Sequence, residues 1–246
     1  SRLESLKNIT ERYDGYGNSI RRVMEQKNRE PGIKGVVADI IHVQKDYEVA
    51  IETALGGSIQ NIVTDNEQTA KRMIGFLKKN RFGRATFLPL SNISGRGGLN
   101  QRDVLSEPGV VGTANTLVNA DKEYSELVMY LLGRVLVVDN IDHAIAIGKK
   151  YRHSLRMVTI EGESLSPGGS MTGGAFKNNS NLLGRRREIE ELERSVGILR
   201  KELEETQKSI GENRSRRNVL RDTIADFQQK LRQQYVEQNT AKMNLE

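Results

Sequence analysis

The chain is expected to fold as an α/β (mixed α+β) globular body of two pseudo-symmetric subdomains on an antiparallel coiled-coil arm. Three observations predict this. A heptad register runs unbroken from Ile189 to Leu245. A shorter 3-4 alternation precedes the middle, through Leu6, Ile9, Tyr13, Tyr16, Ile20 and Val23. Between them, the middle repeats itself. Two seams on one chain can bury each other when the chain turns back through a compact centre.

The expected divisions are an N-terminal coil strand at 1–30, subdomain one with its connecting loop at 31–108, subdomain two at 109–181, and a C-terminal coil strand at 182–246. The two copies share six landmarks in one order. GVVADIIHV (35–43) answers GVVGTANTL (109–117), and YEVAIETALGG from Tyr47 answers YSELVMYLLG from Tyr124. IVTDNEQTA ending at Ala70 matches LVVDNIDHA ending at Ala144; KKNR at Lys78 matches KKYR at Lys149. Each copy closes on an apolar run, ATFLPL at 85–90 and MVTI at 157–160.

Each copy reads strand, helix, strand, helix, strand. A helix from Asp46 to Leu55 places Tyr47, Ala50, Ile51, Ala54 and Leu55 on one face, and Gly56 stops it. IQNIV is a short buried strand. Asp65 or Asn66 can cap the next helix, as Asp139 or Asn140 can in the second copy. The copies are joined by SNISGRGGLNQRDVLSEPG (91–109), whose glycines and proline mark loop.

After the second copy, SLSPGGSMTGG (164–174) packs Gly168, Gly169, Gly173 and Gly174 into seven residues. Glycine permits positive φ and close backbone approach. A phosphate cradle fails on pattern, since neither GxxxxGK[ST] nor a strand–GxGxxG–helix is present. An exit loop and a tight chain–chain interface around Met171 both remain.

The heptad places Ile189, Val196, Leu203, Ile210, Arg217, Ile224, Leu231, Gln238 and Leu245 at a. Leu192, Leu199, Thr206, Asn213, Leu220, Phe227, Gln234 and Ala241 take d, so twelve of seventeen seam positions are apolar. Residues 1–30 should pair antiparallel with about residues 183–215. At about 1.5 Å per residue the heptad run is roughly 85 Å long, about twice its N-terminal partner. The chain opens on Ser1 rather than Met and stops in mid-heptad at Glu246, as expected of a piece of a longer protein.

The 246 residues carry 38 basic and 32 acidic side chains, a net +6. The excess is spread evenly: 7 against 5 in residues 1–32, 17 against 15 in 33–181, and 14 against 12 in 182–246. No segment is a basic tail, so nucleic-acid binding is permitted without being demanded. No cysteine means no disulfide and no thiolate metal site, and no apolar run approaches a membrane span. His42, His143 and His153 form no ligand-spaced cluster, and no catalytic constellation stands out. The basic runs KKNRFGR (78–84) and KKYRHSLR (149–156) lie at expected helix C-termini. There they suit the helix dipole; phosphate contact is the alternative.

The motifs YDGYGNSIRRVM, GVVADIIHV, ALGGSIQNIV, RATFLPL and above all SLSPGGSMTGGAF followed by LLGRRREIEEL resemble the hinge domain of structural-maintenance-of-chromosomes (SMC) proteins of bacterial type. The resemblance covers about residues 10–195. It implies a homodimer, joined head to head with Gly168, Gly169, Met171, Gly173 and Gly174 at the interface. It implies arms leading to a distant ATPase head, absent here, in a protein that compacts and segregates chromosomes with a kleisin partner. A cytoplasmic, nucleoid-associated location goes with it. No cofactor and no catalysis are expected in this stretch, and no membrane partner.

The resemblance also implies weak, non-specific DNA contact near the junction of hinge and coil. Lys78, Lys79, Arg81 and Lys177 are candidates, with Arg185, Arg186 and Arg187 at the root of the coil. Relatives carry several lysines after GGAF, whereas here Lys177 is followed by Asn178 and Asn179. A zinc-hook arm tip would need CxxC, which the chain lacks. The remaining alternative is a monomeric, non-specific DNA-binding module on a coiled-coil stalk.

Overall fold

The computed structural model describes residues 2–5, 16–95, 97–175 and 182–244. The chain divides into two units, Ser1–Glu191 and Leu192–Glu246. In the first unit, α1 (Asn18–Met24) leads into β1 (Ile33–Val36), a short α2 (Val37–Ile40) and β2 (His42–Val43). A 3₁₀ turn at Lys45–Tyr47 then opens α3 (Glu48–Leu55). The helix expected from Asp46 thus starts as 3₁₀ and becomes α at Glu48. Gly56 ends it at φ 52°, a conformation that suits glycine. β3 (Ile62–Thr64), α4 (Glu67–Asn80) and β4 (Phe87–Pro89) complete the first copy.

The second copy runs β5 (Val110–Thr113), β6 (Val118–Asn119), α5 (Ser125–Leu132), β7 (Val135–Val138), α6 (Ile141–Lys150) and β8 (Arg156–Thr159). It is followed by β9 (Ser164–Leu165) and β10 (Met171–Thr172), which no sequence landmark announced. The long helix α7 spans Leu182–Met243.

Two sheets carry the copies. The first has order β1-β3-β4 and the second β10-β9-β8-β7-β5. In each, an antiparallel pair (β1 with β3, β5 with β7) adjoins a parallel pair (β3 with β4, β7 with β8). The equivalence is finer than the sequence match suggested. Asp65 N–H donates to Gly32 O at 2.9 Å, and Asp139 N–H to Gly109 O at 2.8 Å. The bulges fall at Gly35 and Gly112. Gly109 therefore corresponds to Gly32, not to Gly35 as the matching GVV strings implied. Identical letters do not fix equivalence; register is set by the strand ladder. β2 and β6 pair with each other across the two copies, His42 opposite Asn119, so the pseudo-twofold passes between them.

β7 (VLVV) is buried on both faces, as a strand inside a covered sheet should be. Val135 and Val137 join a large core that runs through both copies; Leu136 and Val138 join a smaller one beneath α6 with Ala144, Ile147 and Met157. The alternation follows from the period of two along a strand.

The coil reading needs one correction. Ile20 and Val23, placed on a coil seam by their spacing, are buried in the globular core with Met24. α1 is pinned there: Ser19 Oγ donates to Arg84 O at 2.7 Å, and the Arg22 guanidinium lies 5.0 Å from the Phe82 ring centre. Gly15 and Gly17 interrupt the heptad just before, and a 3-4 alternation cannot tell a coil seam from a core face. Residues 2–5 are helical, and Arg2 pairs with Glu188. Leu6, Ile9 and Tyr13 lie outside the described residues. Further along α7, Leu199, Leu203 and Ile210 are exposed, and residues 6–15, most of the N-terminal strand expected to pair with α7, lie outside the described residues.

Candidate dimer interface and nucleic-acid surface

The glycine motif forms a hairpin. β9 and β10 pair antiparallel, Leu165 opposite Met171 and Ser164 opposite Thr172. The loop between them turns through Pro167, Gly168 and Gly169, the two glycines at φ 92° and 95°. Side chains rarely adopt that region, so the turn demands glycine. Gly169 N–H donates to Ser166 O at 3.0 Å and Gly168 N–H to His153 O at 2.8 Å. The run after α6 is thereby explained. Lys149 and Lys150 close the helix, Lys150 is ion-paired with Glu107, and Arg152 and His153 turn at positive φ to meet the hairpin loop.

β10 is the outer strand of its sheet, and both its residues are exposed, Met171 at 51%. Gly173 and Gly174 follow, also exposed. All five interface candidates thus lie on one hairpin and its exit. The two copies differ here. In the second, β9 and β10 cover the outer edge of β8; in the first, the equivalent edge of β4 has no strand beside it among the described residues. Among the described residues, β4 and β10 are thus the outer strands on equivalent sides of the two sheets, as β1 and β5 are on the other side, and an open backbone edge can take a strand.

The nucleic-acid candidates divide. Lys78 and Lys79 end α4, and Arg81 caps it in the left-handed conformation at φ 55°. All three are exposed and without an ion-pair partner among the described residues. α1 adds Arg21 and Arg22 nearby, since Asn18 Nδ2 and Ser19 Oγ bond the carbonyls of Phe82 and Arg84. The sequence offered that signal, the RR of YDGYGNSIRRVM, but fold contact was needed to join it to the KKNR run. Arg186 and Arg187 are otherwise engaged. Arg186 Nε donates to Glu190 at 3.0 Å; Arg187 pairs with Glu48 and, at 2.7 Å, with Glu191. Arg185 is half-buried in the same turn, and Lys177 lies outside the described residues. Among the described residues no group of His, Asp and Glu could hold a metal, and no helix is long and apolar enough to cross a membrane.

Two pseudo-equivalent α/β copies sharing one core, with open strand edges and a heptad helix leaving them, define a hinge domain of a coiled-coil-arm protein. Comparison with known proteins gives the family. The family model of the SMC proteins flexible hinge domain matches residues 30–148. The hinge domain of Geobacillus stearothermophilus SMC, solved as an asymmetric dimer, superposes with a TM-score of 0.76 at 38% identity over 81% of each chain. The Pyrococcus furiosus SMC hinge gives 0.54 at 28% identity, covering 72% of this chain and 92% of its own. The chain belongs to the SMC hinge family, of bacterial type. Chromosome partition protein Smc of Bacillus subtilis is 42% identical over 200 residues, and that of Lactiplantibacillus plantarum 40% over 199. Each alignment covers 80% of this chain, which spans only 17% of those relatives' length.

Proposed function

We propose that this chain is the homodimerisation hinge of a chromosome partition protein, joining two coiled-coil arms. The carrying observation is the mismatch between its two copies: a surplus hairpin on β8 and, among the described residues, a bare edge on β4. A partner's β10 added to β4 would make one continuous sheet, by backbone hydrogen bonds that need no particular side chains. A twofold axis repeats the contact with roles exchanged, and the pair closes on itself. Gly168, Gly169, Met171, Gly173 and Gly174 then line the interface, the small residues allowing backbones to meet. The relatives' name, chromosome partition protein, and the solved dimer of a similar hinge support the reading.

In the same reading the hinge performs no catalysis and holds no cofactor. ATP hydrolysis and kleisin binding belong to a head outside this stretch, and the assembly works in the cytoplasm on the nucleoid. DNA is held weakly and without regard to sequence, through phosphate contacts to Lys78, Lys79 and Arg81.

The test uses the chain's lack of cysteine. Single cysteines at Phe87 or Pro89, mixed with single cysteines at Met171 or Thr172, should give intermolecular disulfides on oxidation. Sedimentation equilibrium should give a dimer at micromolar concentration. A monomer, with no cross-link from any pairing, would instead favour the monomeric DNA-binding module.

A further inference from the structure

The root of α7 is seated on the first copy by ionisable groups. Glu48 and Glu52 lie one turn apart on α3 and therefore on one face. The carboxyl of Glu52 takes the backbone N–H of Leu182, one of the four that the start of a helix leaves without an intrahelical partner. Glu48 is only 5% exposed and is bound by Arg187, which also holds Glu191 at 2.7 Å. His42 Nδ1 lies 2.9 Å from Glu190, which also accepts from Arg186 at 3.0 Å. Leu182, Leu183 and Ile189 are buried beside this network.

The cations are unevenly shared. Arg187 serves Glu48 and Glu191, and Arg186 serves Glu190. Glu52 has no ion-pair partner among the described residues. Other charged groups lie on the packed elements, among them Arg185, half-buried in the first turn of α7 and itself engaged. Arg156 of β8 donates to Ala54 O at 2.8 Å, Glu126 of α5 accepts from Gly95, and Lys45 and Asp46 lie in the 3₁₀ turn before α3. Asp39 of α2 feels Arg186 and Lys27.

We propose that Glu52 is a proton switch for this joint: protonated, it holds the first turn of α7 in its seat, and ionised it loosens that seat. A protonated carboxyl still accepts the Leu182 N–H through its carbonyl oxygen. An ionised one keeps that bond but sets a second negative charge beside Glu48 in a half-buried site. Burial pushes the Glu52 carboxyl up to about 7, the Leu182 N–H opposing and the Glu48 charge adding to the rise. The seated state therefore binds the proton more tightly than an exposed Glu52 would. By linkage the seat is firmest at low pH, weakens once pH passes the ordinary value of 4.5, and has lost this contribution above about 7. The switch spans the range in which cells live, and it acts on a turn whose Leu182 and Leu183 belong to the main core.

The experiment is hydrogen–deuterium exchange of residues 182–190 in the whole chain, corrected for the intrinsic pH dependence of exchange. Between about pH 6 and about pH 8.5 wild-type protection should fall roughly tenfold, the order set by one unit of linkage. In Glu52→Gln, which keeps an acceptor for Leu182, protection should be the same at both values. A flat wild type, or an undiminished pH dependence in Glu52→Gln, overturns the proposal. Carbon-13 titration of the Glu52 carboxyl in the wild type decides independently of any variant. A midpoint near 7 supports the switch; one in the ordinary carboxylate range overturns it.

Discussion

Asn66 and Asn140 do the same work in the two halves of the molecule. Both sit at an N-cap with φ −150° and extended ψ, 174° and 168°. Asn66 Oδ1 accepts from Gln68 N–H at 2.9 Å and Thr69 N–H at 3.1 Å; Asn140 Oδ1 accepts from His143 N–H at 2.9 Å. Each follows an aspartate whose own N–H returns to the glycine before the first strand of its copy. The cap therefore ties the helix start to the strand ladder as well as satisfying orphan donors.

Replacing either asparagine with alanine should cost about 1 kcal/mol of folding stability, the usual worth of such a cap. The two caps share no partner, so Asn66→Ala with Asn140→Ala should lose the sum. Urea denaturation of both singles and the double measures this. A double that loses no more than one single would show that only one cap is formed in solution.

Gly168 and Gly169 turn the hairpin at positive φ, where a β-branched residue costs about 1–2 kcal/mol each. Gly168→Val with Gly169→Val should leave the core folded and abolish the dimer in sedimentation equilibrium. Gly56→Val, strained at φ 52° at the C-terminal end of α3, is the control and should lower stability without changing the mass. Equal loss of dimer in both variants would point to general destabilisation instead.

Arg187→Ala leaves Glu48 charged and buried with its cation gone, which should destabilise the seat of α7 by about 3 kcal/mol or more. Glu48→Gln in the same chain removes the stranded charge and should recover most of the loss. The pair forms a double-mutant cycle, read by thermal denaturation of the whole chain. Strictly additive losses would mean that the two side chains do not interact.

Lys78→Glu with Lys79→Glu should weaken binding to unrelated short DNA duplexes equally and lower the salt slope by about two. Arg186→Glu should change binding less, since that side chain is already held by Glu190. A salt titration by fluorescence anisotropy checks both. An unaltered slope in a folded, dimeric double variant would return these lysines to closing α4.

The sequence made the two-copy α/β architecture legible because repeats and caps are local signals. Asp65-Asn66 and Asp139-Asn140 announce helix starts wherever the helices pack. Tertiary register was less legible. Matching GVV strings hid the true equivalence of Gly32 with Gly109, and Ile20 and Val23 read as coil because periodicity carries no information about the partner. The hairpin of β9 and β10 was missed since strands of two residues carry no pattern; only the glycines that turn it stood out. The network around Glu48 and Glu52 joins residues far apart in the chain, and nothing in YEVAIETAL distinguishes them from solvated helix charges.

Arg2 pairs with Glu188, so the described N-terminal residues and the root of α7 lie side by side on the globular unit. Tension drawn along the two strands in opposite directions would peel them apart at their common base instead of stretching the sheets. Hydrogen bonds broken one after another yield at lower force than those sheared together, so the ionic root around Glu48, Glu52 and Arg187 would act as a mechanical fuse.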